Sequence, residues 1–195
     1  ALPADLSSEE ACRALAAEIA EREPALHVLV NNAGATWGAP YEDYPDAAWD
    51  KLWSVNVKAV FSLTRACTPL LRAAATDGDP GRVINIGSVD GIQVPAMETF
   101  AYSTSKAAVH QLSRVLARRL APEITVNAIA PGPFRSRMMR ATLEAAGDAL
   151  AQMVPLGRIG EPEDMAGAAI FLASRAGAWI TGDVIPVDGG LVTTK

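Results

Sequence analysis

Cysteine is almost absent from this chain. Cys12 and Cys67 are too few and too isolated for a disulfide framework or a zinc site, so no metal is expected. A reducing, cytoplasmic setting is the default for such usage. Basic charge is also short, with 17 Lys and Arg against 22 Asp and Glu and a net charge of −5. Nucleic acid needs a basic surface, which excludes it as the expected partner. Half of the residues are hydrophobic, yet no apolar run approaches the roughly 20 residues that span a membrane. There is no basic-plus-apolar leader and no initial Met, which suggests a fragment. Repeats, linkers and low-complexity stretches are missing as well. One domain over residues 1–195, large enough to bury a core, is the simplest expectation.

What is present alternates between apolar strands and amphipathic helices. Leu2 to Leu6 reads as the end of a strand, and Ser7 with Glu10 as a capping box. The helix that follows runs to Pro24 and presents Ala11, Leu15 and Ile19 on one face. Leu26 to Val30 reads as a buried parallel strand, and Arg82 to Gly87 as another. Ile124 to Ala130 and Thr181 to Val187 read as two more, the last closed by Asp188-Gly189-Gly190. Between them lie helices from Pro45 to about Arg72, from Phe100 to Leu120 with Pro122 as its stop, from Phe134 to Pro155, and after Glu161-Pro162. The first of these carries an inward stripe of Trp49, Leu52, Trp53, Val60, Leu63 and Cys67, and the last buries Met165, Ala169, Ile170 and Leu172. Asn56 interrupts the stripe with an amide that needs partners if it is buried. His27 and His110 read as packing or surface residues.

The chemistry concentrates in Tyr102-Ser103-Thr104-Ser105-Lys106. Residues four apart share a helix face, so the phenol and the ammonium lie one turn from each other. A cation about 4 Å away contributes about 4 kcal/mol at an effective dielectric of about 20. That would lower the phenol's pKa by about three units and poise it for proton transfer near neutral pH. Fourteen residues upstream, Ser88 ends an apolar strand, where open α/β sheets place ligand contacts. Asn31-Asn32-Ala33-Gly34 and Pro131-Gly132-Pro133-Phe134 end two other strands in the same manner.

With Asn31-Asn32-Ala33-Gly34, Asn56, Ser88, Tyr102-x-x-x-Lys106 and Pro131-Gly132 in order, the whole chain resembles the short-chain dehydrogenase/reductase family. Within it, the chain is most similar to bacterial 3-oxoacyl reductases of the kind associated with rhamnolipid synthesis. The resemblance implies a Rossmann-like α/β fold, a doubly wound parallel sheet. It implies a Ser-Tyr-Lys-Asn site in which Ser88 holds the substrate oxygen and Tyr102 delivers its proton. Lys106 then lowers the Tyr102 pKa and binds ribose, while Asn56 supports a proton relay. Asp5, Leu6, Asn32, Ala33, Gly34, Pro131, Gly132, Phe134 and Ser136 become cofactor contacts beside Tyr102 and Lys106. Ser136 stands where the family usually has Thr.

The implied cofactor is NADP, with NADPH favoured and NAD possible. The implied substrate is a small or acyl-carrier-linked ketone, and the implied assembly a homo-oligomer, dimer or tetramer. Arg135, Arg137 and Arg140 beside Met138 and Met139 fit an acyl chain whose carrier ends in phosphate. In the family a glycine-rich loop and two βα units precede the position of Ala1. The chain therefore reads as the C-terminal, catalytic portion of the fold, lacking its first βα units, with poor stability and weak cofactor binding expected in isolation. Two alternatives stand beside oxidoreduction: a truncated, non-catalytic scaffold, and an epimerase or dehydratase. The latter adds a substrate domain after the last strand, and this chain ends soon after Gly190.

Overall fold

The computed structural model describes residues 1–194. Ser8, not Ser7, opens the first helix: its hydroxyl accepts from the Ala11 N–H, and α1 spans Glu9–Arg22. Ser7 instead donates its N–H to the Asp5 carboxylate, and residues 1–5 carry no regular structure where a strand end was expected. The stripe of α1 that packs inward is centred on Cys12 and Ala16.

Four strands form one sheet in the order β1-β2-β3-β4: Val28–Asn31, Gly81–Ile86, Ile124–Pro131 and Val184–Val187. All neighbours are parallel, with Leu29 opposite Val83, Val83 opposite Val126, and Ile129 opposite Ile185. Parallel pairing needs a crossover each time, and helices supply it: α2 (Asp46–Trp53) and α3 (Ala59–Ala74), then α4 (Phe100–Leu120), then α5 (Arg140–Met153) and α6 (Pro162–Ala173). Alternation along the strands divides the core into two layers. Leu29, Val83 and Val126 face α1, α3 and α4, packing on Leu63, Cys67, Leu71 and Leu116. Ile84 and Ile129 face α6, packing on Leu172. Helices on both faces of a parallel sheet make this a doubly wound, Rossmann-like α/β fold.

Several boundaries differ from the sequence expectations. The last strand is shorter than Thr181 to Val187, and Val30 is 45 % exposed although its strand reads as buried. Val30 sits on β1, whose pairing among the described residues is with β2 alone. The long helix from Pro45 is not continuous. A π-turn at Ser54–Lys58 separates α2 from α3, closed by the Ala59 N–H bonding to the Ser54 carbonyl. The wider turn changes the helical phase, so Ala48 and Leu52 are buried while Trp49 and Trp53 remain 37 % and 39 % exposed. Phe134 bridges to Gly160, residues 137–139 form a turn, and α5 begins only at Arg140, with no buried residue along it. On α6, Leu172 is buried but Ile170 is 68 % exposed.

A polar ladder crosses the sheet beneath α3 and α4. The Asn31 amide donates to Thr64 Oγ1 (3.1 Å) and to Asn85 Oδ1 (2.8 Å). Asn85 donates to Ser113 Oγ (2.9 Å), which donates to the Val109 carbonyl (2.8 Å). Every member is buried and satisfied, so the ladder pins β1 to β2 and both strands to their helices.

Candidate active site

Ser88 follows β2 after Gly87 and is buried. Its hydroxyl accepts from the Asp90 N–H (3.1 Å), which caps a 3-10 turn at Val89–Gly91. Tyr102 lies in the first turn of α4. The start of that helix has no side-chain cap of its own. An aromatic group anchors it instead: the Phe100 ring meets Tyr41 (5.7 Å) and Tyr44 (5.3 Å) edge-on, and Tyr44 meets Trp49 (6.2 Å). The Tyr44 hydroxyl also accepts from the Ala101 N–H (3.3 Å).

One turn further, Lys106 is 6 % exposed, and its Nζ donates to the Ile86 carbonyl at 2.8 Å. Nζ stands 5.7 Å from the centre of the Tyr102 ring. Among the described residues Lys106 has no ion pair, and burial lowers its pKa to about 8. The Tyr102 pKa is raised, not lowered as the spacing alone suggests. Burial of the phenol is the largest cause; a hydrogen bond with the Ser88 side chain opposes it, and the Asp90 carboxylate adds to it. Desolvation disfavours the charged form of both partners, so the phenol stays protonated and the amine gives up its proton more readily.

Asn56 lies in the π-turn and is 1 % exposed. Its Oδ1 accepts from the Ala35 N–H (2.9 Å), while its Nδ2 donates to the Ala35 carbonyl (3.0 Å) and to Ser105 Oγ (2.9 Å). Ser105 in turn donates to the Tyr102 carbonyl (2.7 Å). The exit turn of β1 is thus tied through Asn56 and Ser105 to the first turn of α4. Ser105, fully buried between the two motif residues, did not stand out in the sequence. The signal available there was a hydroxyl three residues after Tyr102, the spacing of a helical back-bond.

Asn32, Ala33 and Gly34 are exposed on that exit turn. A Cβ on Gly34 would stand 3.4 Å from Asn56 Oδ1 and 3.6 Å from Lys106 Nζ, so the turn passes directly over the two side chains. Leu6 joins Asn32 and Ala33 around a recess of about 50 Å³, whereas the Asp5 carboxylate is exposed and engaged with Ser7. Two strands away from β1, Pro131 ends β3 and Gly132 approaches Asp188 so closely that a Cβ would lie 2.8 Å from its Cα. The Phe134 ring covers Gly160, and Ser136 is exposed with its hydroxyl accepting from the Met139 N–H (3.2 Å). Arg135 pairs with Glu161 at 2.8 Å, while Arg137 and Arg140 are exposed. A larger cavity of about 500 Å³, between Phe134, Leu156, Arg158 and Asp188, contains none of Ser88, Tyr102 and Lys106. Among the described residues no group of three or more His, Cys, Asp or Glu could hold a metal, and no helix is long and apolar enough to cross a membrane.

A parallel sheet with a serine at one strand end and a Tyr-x-x-x-Lys helix beside it defines a class of nicotinamide-linked oxidoreductases, and the comparisons agree. The protein family described as enoyl-(acyl carrier protein) reductase matches residues 1–192. The chain belongs to the short-chain dehydrogenase/reductase family. It is 52 % identical to the rhamnolipids biosynthesis 3-oxoacyl-[acyl-carrier-protein] reductase of Pseudomonas aeruginosa, over 97 % of this chain and 75 % of that protein. It is 36 % identical to the 3-oxoacyl-[acyl-carrier-protein] reductase FabG of Thermotoga maritima, over 90 % of this chain and 70 % of that one. Among solved structures, the Pseudomonas aeruginosa RhlG/NADP active-site complex superposes with a TM-score of 0.93 at 51 % identity, covering 97 % of this chain and 75 % of that one.

Proposed function

We propose that the protein reduces the ketone of a 3-oxoacyl thioester, carried on an acyl carrier, to a secondary alcohol with NADPH. The observation that carries this reading is the clustering of Ser88, Tyr102 and Lys106 where β2 ends and α4 begins. The names of the relatives support both the substrate class and the cofactor. NADPH, when bound, supplies the hydride. The residues fit such a cofactor because Lys106 is a buried cation with one backbone acceptor and no side chain on Gly34 to cover it.

The chain's own part is to hold the carbonyl and manage a proton. Ser88 Oγ accepts from Asp90, which leaves its own proton to donate to Tyr102 or to the substrate oxygen. Tyr102 is protonated at neutral pH and donates to the developing alkoxide, which is more basic than a phenolate. Two hydroxyl donors aimed at one oxygen stabilise the charge that forms there. Lys106 is assigned to the cofactor's ribose and, with Asn56, to a relay through which a proton from solvent is restored to Tyr102. Asn32, Ala33, Gly34 and Leu6 are assigned to the cofactor's nucleotide portion, together with Asp5. Pro131, Gly132, Phe134 and Ser136 are assigned to its nicotinamide and phosphates. A homo-oligomer in the cytoplasm completes the reading.

The test is NADPH oxidation by the purified protein with 3-oxoacyl thioesters, acyl-carrier-linked and free ketones in parallel. Thioester-dependent oxidation, fastest on the carrier-linked form, is expected. No oxidation with any ketone, or equal kinetics on thioesters and short free ketones, would overturn the reading or its substrate class respectively.

A further inference from the structure

His110 lies one turn beyond Lys106 on α4 and is 4 % exposed. Nothing in the proposed chemistry uses it, yet the Ser88 loop is built around its ring. The Ser88 N–H points to His110 Nε2 at 3.4 Å. A backbone amide only donates, so Nε2 is the acceptor and the neutral ring carries its proton on Nδ1. The Gly91 backbone lies against the other side of the ring, where a Cβ on Gly91 would stand 2.9 Å from Cε1. The imidazole therefore reaches both ends of the short turn from Ser88 to Gly91.

The two glycines around Ser88 record how closely the ring is held. A Cβ on Gly87 would stand 2.1 Å from His110 Nε2 and 2.6 Å from Cδ2. A Cβ on Gly91 would stand 2.9 Å from Cε1 and 2.7 Å from the α4 backbone at Lys106 and Ala107. Neither glycine has a positive φ. Both are there for space, and the ring occupies much of it. The charges that bear on the ring, Lys106 and Arg114, come from its own helix, and burial is the larger cause of a pKa lowered to about 4. The imidazole is thus a neutral acceptor throughout the range in which an enzyme works.

We infer that His110 is a positioning residue: by accepting the Ser88 N–H and filling the space between Gly87 and Gly91, it fixes the Ser88 hydroxyl against Tyr102. This rests on the proposed role of Ser88 in binding the ketone oxygen.

Two measurements test it. In the wild-type protein, ¹⁵N spectra of the imidazole should show an unprotonated Nε2 and a protonated Nδ1, with no titration near the ordinary histidine range. A ring that titrates there, or carries its proton on Nε2, overturns the inference without any activity measurement. The second is a cycle of His110→Leu and Ser88→Ala, alone and together, with His110→Gln as the conservative variant. His110→Leu should lower kcat roughly ten- to a hundredfold with little change in the cofactor KM, and His110→Gln should restore part of it through its side-chain carbonyl. In the Ser88→Ala background His110→Leu should cost little further, because the group it positions is gone. An equal penalty in both backgrounds overturns the inference alone. A Ser88→Ala variant with wild-type turnover would instead overturn the proposed function. If His110→Leu does not fold, the wild-type spectra still decide.

Discussion

Asn56, Ser88, Ser105 and Lys106 are buried and hydrogen-bonded, whereas the stretch from Arg135 to Met153 contains no buried residue. The first region spans three elements far apart in sequence, yet each of its polar groups has a backbone or hydroxyl partner. The second holds Arg137, Met138 and Arg140 in the open, and its helix departs from helical geometry at Ala146. Preorganised donors suit proton transfer, because they need no rearrangement when charge develops. Flexible Met and Arg side chains suit a long, variable substrate. On the proposed reading, the buried, hydrogen-bonded region would serve the reaction and the exposed one recognition.

The sharpest test of that contrast is Tyr102→Phe. It should leave the fold and the thermal transition unchanged but lower turnover by about 10²–10⁴-fold, read from single-turnover reduction. Lys106→Met should separate chemistry from stability. The Lys106 pKa falls to about 8 on folding, so the unfolded chain holds its proton more tightly than the folded one. The penalty of burying the ammonium is therefore complete below pH 8 and fades as pH rises toward the ordinary lysine value. The methionine variant should be inactive, and its stability relative to the wild type should be about 3 kcal/mol more favourable at pH 7 than above the ordinary lysine pKa, offset at every pH by the Ile86 carbonyl left without its donor. Thermal unfolding across pH checks this, and a stability difference that does not change between pH 7 and alkaline buffer would contradict it.

Asn56→Ala should come next. It strands the Ala35 N–H and carbonyl together with Ser105, at a cost of about 1–3 kcal/mol in denaturant unfolding. Asp90→Asn removes the carboxylate that helps hold up the Tyr102 pKa. Since reduction needs the protonated phenol, the falling alkaline limb of the rate profile should move to lower pH. The smallest effect belongs to the open region. Arg137→Glu with Arg140→Glu should raise KM for a carrier-linked substrate a few-fold and flatten its salt dependence, with kcat unchanged.

How much of this could be read beforehand depended on how local each feature is. Tyr102 and Lys106 were legible because helix geometry alone brings residues four apart together. Ser88 and the turns after β1 and β3 were legible because apolar runs end there in polar or Gly/Pro residues. The direction of the Tyr102 shift was not, since it turns on how far α4 and the Ser88 loop exclude water. Ser105 and His110 take their roles from partners 49 and 22 residues away. The exposed Trp49 and Trp53 follow from the π-turn, which has no sequence signal of its own. The helix predicted from Phe134 begins only at Arg140, because the Phe134 ring is drawn off to cover Gly160.

That π-turn has a consequence for chain length. A turn closed from Ala59 back to Ser54 spans five residues where an α-turn spans four, so the helix from Asp46 to Ala74 carries one surplus residue. Deleting a single position such as Val57 would let the two halves anneal into one regular helix. The healed rod would turn the Asn56 amide by about 100° relative to α3, away from Ala35 and Ser105. Here the loss of one residue would be locally favourable for the backbone yet would break the ties from Asn56 to Ala35 and Ser105, so the surplus residue serves the position of that amide rather than the regularity of the helix.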